Sequence, residues 1–110
     1  MNLYPYNAGH LLICAYRHVA DLTELNEDER NEIFELSAHA MKTLRKVSAP
    51  AGFNLGMNQG AISGAGVADH IHQHIVPRWS GDVNFMPIIG QTKVLPVLLA
   101  QTRAELAQAW

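Results

Sequence analysis

Apolar and polar positions alternate with two different periods along this chain, and the change of period divides it into elements. Residues 2–10 (NLYPYNAGH) are punctuated by Pro5, Asn7 and Gly9 and read as a turn-rich entry. Leu11 to Tyr16 is a short, mostly apolar run and predicts a buried strand. Asn26 followed by Glu29 has the form of a capping box, which starts a helix. Ile33, Phe34, Ser37, Met41, Leu44 and Val47 then trace a helical stripe that should face a sheet. Glu27, Asp28 and Glu29 at its start, and Lys42, Arg45 and Lys46 at its end, complement the helix dipole. Pro50 and Gly52 end this helix, and His39 lies off the stripe, on the solvent side. Phe53 to Asn58 alternates large and small residues and predicts a second strand, followed by a loop containing Gly60, Gly64 and Gly66. A last helix is expected from near Lys93 to Trp110, with Pro96 in its first turn and Val97, Leu98, Arg103 and Leu106 beyond. The expected class is α+β: an antiparallel sheet with one long helix packed on it and a C-terminal helix.

Composition narrows the function without naming it. The chain has 110 residues, enough for one core, and residues 1–110 are expected to form one domain. It is 48% hydrophobic and 16% charged, with a formal net charge of −2, so no basic excess marks a general nucleic-acid binder. If the ligand is a polyanion, a few local donors must attract it. Cys14 has no partner for an internal disulfide, which fits a reducing compartment. No secretory signal is read at the amino terminus, and no apolar run approaches the ~20 residues needed to cross a bilayer. A cytoplasmic protein with no membrane partner is expected.

The chemistry concentrates in residues 70–79, HIHQHIVPRW. In an extended strand side chains alternate between faces, so His70, His72 and His74 would share one face, about 6.6 Å apart, with Ile71, Gln73 and Ile75 on the other. Packing explains such a row poorly, because it excludes apolar residues from that face. A metal site is the rival reading, since neighbouring imidazoles can share an ion. The row spans about 13 Å, too far for all three to reach one zinc at about 2 Å, and a pair such as His70 and His72 would need a ligand from elsewhere. Cys14 and Asp82 could supply one only by folding. Nucleophilic or acid–base chemistry stands ahead of a metal.

These residues resemble the histidine-triad nucleotide hydrolases and transferases, whose signature is His-φ-His-φ-His-φ-φ with φ apolar. Residues 70–76 match it at every position but Gln73, which points away from the histidine face. Two further blocks are similar to the family's in order and spacing: NLYPYNAGHLLICAYRHV, from Asn2, and GFNLGMNQG, residues 52–60. The tail VPRWSGDVNFMPIIGQTKVLPVLL resembles the branch of bacterial diadenosine-tetraphosphate phosphorylases. Gly66 and Val67 stand where many members carry Gln-Ser or Gln-Thr, which shifts phosphate contacts toward backbone N–H groups. Members usually carry a further strand and helix before the position of Asn2. The chain begins at Met1, so an amino-terminally truncated domain is expected.

The resemblance implies roles position by position. His72 would be the nucleophile at the α-phosphorus of a dinucleoside polyphosphate, with its other nitrogen donating to a backbone carbonyl. His74 would be the acid toward the leaving phosphate, His70 would brace the row, and His10 would help orient the nucleophile. Asn58 and the backbone at Gly60, Gly64 and Gly66 would contact phosphate, Asn2 the ribose hydroxyls, and Arg78 the polyphosphate unless it forms a surface ion pair. Trp79, Asp82, Asn84 and Phe85 would border the pocket or a subunit contact. No cofactor or metal is implied, the substrate is a nucleotide or dinucleoside polyphosphate, and a homodimer or higher homo-oligomer is expected. A nucleotide-binding module with little turnover, a nucleoside phosphoramidate hydrolase and a zinc hydrolase using His70 and His72 are the alternatives.

Overall fold

A computed structural model describes residues 1–82 and 97–110. Among them, three strands form one antiparallel sheet: β1 (Leu11–Cys14), β2 (Gly52–Met57) and β3 (His72–Arg78), in the order β1-β3-β2. Two helices, α1 (Glu27–Ser48) and α2 (Leu99–Ala109), complete an α+β architecture. The register places Leu12 opposite His74 and Cys14 opposite His72 on one side of β3, and Gly56 opposite His74 on the other.

Helix α1 begins as its sequence dictates. The Glu29 N–H donates to the Asn26 side chain at 2.9 Å, and the Asn26 N–H donates to the Glu29 carboxylate at 2.8 Å. Its far end is less ordinary. Ala49 caps it in the left-handed region at φ 44°, a conformation glycine adopts without strain.

The buried stripe of α1 is Ile33, Ser37, Ala40, Thr43 and Leu44. Phe34, expected on that stripe, is instead 74% exposed. Successive helical residues are ~100° apart, so once Ile33 faces the sheet Phe34 cannot. Small residues on the stripe let the helix approach the sheet, and the Ser37 hydroxyl satisfies itself on the Ile33 carbonyl at 2.7 Å. Two clusters make the core: Val19, Leu25, Ile33 and Ile71 near one end, and Ala40, Leu44, Ile75 and Leu106 near the other. Ile13 packs against both. Truncating Leu44 to alanine should cost about 2–5 kcal/mol.

Three expected boundaries move. The first strand stops at Cys14 and is half-buried, because β1 is an edge strand with only one face covered. Helix α2 starts at Leu99, with Leu98 still extended, so Val97 and Leu98 lie outside it; Lys93 and Pro96 fall outside the described residues. Strand β3 starts at His72, which leaves His70 on the preceding loop.

All of the helical packing is on one side of the sheet. Ile71, Ile75 and Pro77 are buried toward α1, while His72 and His74 face away from it. The imidazoles therefore stand on a sheet face that no helix among the described residues covers, and the segment from Asn2 to Tyr6 borders them.

Candidate active site

A cavity of about 530 Å³ opens on that face, within the usual size of a small-molecule site. His70, His72 and His74 lie along it, with Asn2 and Asn58 as amides and Gly64 and Gly66 as backbone wall. Tyr4, Tyr6, Leu12, Cys14 and Val67 supply its apolar surface. No Lys, Arg, Asp or Glu lines it among the described residues. A second cavity, of about 380 Å³ between Leu44, Trp79 and Leu106, carries no imidazole.

Strand geometry puts His72 and His74 on the same face, and their rings tilt edge to face with centroids 4.8 Å apart. Each has its protons arranged by a different neighbour. Nδ1 of His72 lies 2.9 Å from the His70 carbonyl oxygen, which can only accept. That nitrogen therefore carries the proton, and Nε2 of the neutral ring keeps a lone pair. His70 is fixed in turn by donating from Nε2 to the Ala15 carbonyl at 2.8 Å. Its ring also meets that of His18 at a centroid distance of 4.9 Å.

His74 has the reverse arrangement. The backbone N–H of Tyr6 donates to Nδ1 of His10 at 3.0 Å, and the Asn2 amide nitrogen approaches the same atom at 3.3 Å. Nδ1 of neutral His10 is thus the acceptor, and its proton sits on Nε2. His10 Nε2 lies 2.9 Å from His74 Nδ1, so His74 accepts there and carries its own proton on Nε2. That Nε2 is buried and has no hydrogen-bond partner among the described residues. A ligand acceptor would satisfy it. Burial holds the His74 pKa below 6.5, and the adjacent His72 lowers it further, so the ring stays neutral near neutrality.

His10 thus serves His74, not the nucleophile candidate His72 that the sequence assigned it to. The reason is register: Leu12, not Cys14, faces His74, and His10 enters from that end of β1. Asn2 lines the cavity, but its amide is already engaged, with Oδ1 accepting from the Tyr4 N–H at 3.0 Å. Gly60 and Gly64 take the positive φ values of 76° and 82° that turn the loop. Gly64 and Gly66 reach the cavity lining and Gly60 does not. Arg78 stands apart, paired with Asp82 at 2.8 Å and with Asn54 at 2.8 Å.

Several lining residues escaped sequence reasoning. Tyr6 stacks on His10 and His74, with centroids 5.1 and 5.9 Å away. Cys14 reaches the site only through its pairing with His72, which strand register alone reveals; burial raises its thiol pKa. No three His, Cys, Asp or Glu side chains among the described residues are placed to hold one metal ion. Asn84 and Phe85 lie outside the described residues.

The HIT domain family model matches residues 1–81, the stretch that carries the alternating histidines and the cavity lining. The chain belongs to that family. Over all 110 residues it is 47% identical to the AP-4-A phosphorylase of Mycobacterium tuberculosis, of which it covers 56%. It is 30% identical over 82 residues to the bifunctional bis(5'-adenosyl)-triphosphatase/adenylylsulfatase FHIT of Arabidopsis thaliana, covering 74% of this chain and 45% of that protein. The chain therefore spans about half the length of these relatives. A Zn-bound histidine triad family protein from Mycobacterium smegmatis superposes with a TM-score of 0.75 at 26% identity, over 98% of this chain and 76% of that one.

Proposed function

We propose that the protein is a nucleotidyl transferase or hydrolase that cleaves dinucleoside polyphosphates at the α-phosphate, acting in the manner of a diadenosine-tetraphosphate phosphorylase. The observation that carries this reading is the contrast in Nδ1 partners along one cavity wall, a backbone carbonyl for His72 and the His10 ring for His74, which gives the two rings opposite tautomers. Nε2 of His72 has the lone pair a nucleophile needs, and its Nδ1 proton is anchored so that the tautomer cannot invert. Nε2–H of His74 is a donor awaiting an acceptor.

In the first step Nε2 of His72 bonds to the α-phosphorus as the bond to the bridging oxygen breaks. That oxygen takes the bonding pair and leaves as a phosphate oxygen anion, accepting a hydrogen bond from Nε2–H of His74. The departing product is a nucleoside polyphosphate, and the nucleotide remains as a phosphoramidate on His72. Phosphate or water then bonds to that phosphorus as the bond to Nε2 of His72 breaks, which restores the neutral ring; with water as nucleophile, the surplus proton goes to solvent. Asn58 and the backbone near Gly64 and Gly66 supply neutral donors to the equatorial oxygens. Arg78 belongs to a different structure, described below.

The name of the 47% identical relative, AP-4-A phosphorylase, supports the same substrate class and a phosphorolytic second step. Assembly as a homodimer is part of the proposal and is supported by β1 and β2 being the edge strands of the sheet among the described residues. A cytoplasmic setting is proposed with it; no helix among the described residues is long and apolar enough to cross a membrane. Mass spectrometry of protein quenched during turnover of diadenosine tetraphosphate tests the central step. A nucleotide mass on the peptide containing His72 is expected, and turnover without any such adduct at early times would contradict it. Formation of ADP plus ATP on adding inorganic phosphate, in place of AMP plus ATP, identifies phosphate as the second nucleophile.

A further inference from the structure

We infer that Asn7, Arg78 and Asp82 form a positioning network that holds His10 and, through it, the proton on His74. The inference rests on His74 being the proton donor and adds residues that do not touch the cavity's imidazoles. Four donors converge on the Asp82 carboxylate: Arg78 Nε at 2.8 Å, Arg78 Nη2 at 3.0 Å, the Trp79 N–H at 3.2 Å and the Asn7 amide nitrogen at 2.7 Å. The same Asn7 nitrogen donates to the Pro77 carbonyl at 3.0 Å. Both protons of that amide are therefore committed to the far end of β3.

The other end of Asn7 faces the site. Its carbonyl accepts from the His10 N–H at 3.2 Å, closing the turn that carries Gly9 at φ 76°. A Cβ on Gly9 would meet Leu44 Cδ2 at 3.0 Å, so the turn lies hard against α1. Asn7 consequently ties the turn to β3 on one side while α1 supports it on the other. His10 leaves this turn fully buried, with Nε2 on His74. Were the tie loosened, the Tyr6 N–H would no longer be fixed on His10 Nδ1, and only the longer Asn2 contact at 3.3 Å would be left to select the His74 tautomer.

Arg78 changes meaning in this light. Its side chain is 39% exposed but committed to Asp82, itself 13% exposed, and to Asn54 on β2. The carboxyl of Asp82 is held well below the ordinary carboxylate range, first by the Arg78 hydrogen bond, so the tie stays ionised at working pH. The sequence left Arg78 between the polyphosphate and an ion pair, and in the fold its guanidinium is paired with Asp82.

The test compares Asp82→Asn and the milder Asn7→Ser with Arg17→Gln, which breaks an ion pair of equal length, 2.8 Å to Glu29 on α1. With diadenosine tetraphosphate, kcat should fall about 10- to 100-fold in the first two, with KM within about twofold, and stay unchanged in the third. An adenylate ester whose nitrophenolate leaves without protonation should be turned over nearly as well by all three. Long-range ¹H–¹⁵N spectra should show mixed tautomers at His10 and His74 and an unchanged His72. Unchanged kcat together with unchanged tautomers in both variants would overturn the inference, as would equal losses on the two substrates. If wild-type protein turns over neither substrate, the catalytic reading fails, and the tautomer spectra still decide the network. Asn7→Ser provides the result if Asp82→Asn does not fold.

Discussion

His72 and His74 are the same residue type, two positions apart on one strand face, and the regions around them turn them into opposites. At the His72 end the anchor is the strand's own backbone: a carbonyl two residues back holds the Nδ1 proton and exposes a lone pair. At the His74 end the anchor is a turn some sixty residues earlier in the chain, which presents a second imidazole and reverses the tautomer. A short local bond needs little support. The longer relay depends on a buried histidine, on Asn2, and on whatever holds the turn. The nucleophile's half should therefore tolerate distant substitutions that disable the acid's half.

Four substitutions and a titration can break or sharpen this contrast. His72→Ala should lower kcat by about 10⁴-fold or more on every substrate, since no neighbouring group can replace a covalent nucleophile. His74→Ala should cost about 10²- to 10⁴-fold on diadenosine tetraphosphate and little on an ester with a nitrophenolate leaving group. A similar loss on both would mean that His74 does more than donate a hydrogen bond to the leaving oxygen. Asn58→Ala removes a donor that serves both halves and should lower kcat/KM by about 10²- to 10³-fold on either substrate, about 2.7–4 kcal/mol.

The pH dependence has a definite sign. The His74 pKa lies below 6.5 because burial disfavours the charged ring, with His72 adding to the effect. In the unfolded chain the residue protonates near 6.5. Its contribution to stability is thus complete above that value and is lost as the pH falls from 6.5 through the lower folded pKa. An NMR titration should place His74 below 6.5 and show an upward move in His72→Ala. A value above 6.5 would contradict the buried, neutral acid. The smallest effect is a scaffold control: Ala49→Gly relieves the left-handed cap of α1 and should stabilise by about 1 kcal/mol, with kcat unchanged. A thermal melt and a rate measurement check it together.

Local signals were the most legible part of the sequence. The capping box of Asn26 and Glu29 stands as written, and so does the shared face of His72 and His74, because both depend on backbone period alone. Phe34 misled because a stripe drawn through apolar residues ignores which turn of the helix meets the sheet, and Ala40 took the buried place. The His10 partner could not be read, since it depends on the β1–β3 register, which no local pattern fixes. Cys14, Tyr6 and the Asn7–Asp82 tie share that cause. They are placed by contacts between segments distant in the chain.

The most direct measurement of the opposed imidazoles is a long-range ¹H–¹⁵N spectrum of the wild-type protein near pH 8, with the histidine rings assigned. His72 should appear with its proton on Nδ1, and His10 and His74 with theirs on Nε2. Finding His72 and His74 in the same tautomer would contradict the assignment of nucleophile and acid on which the proposed reaction depends.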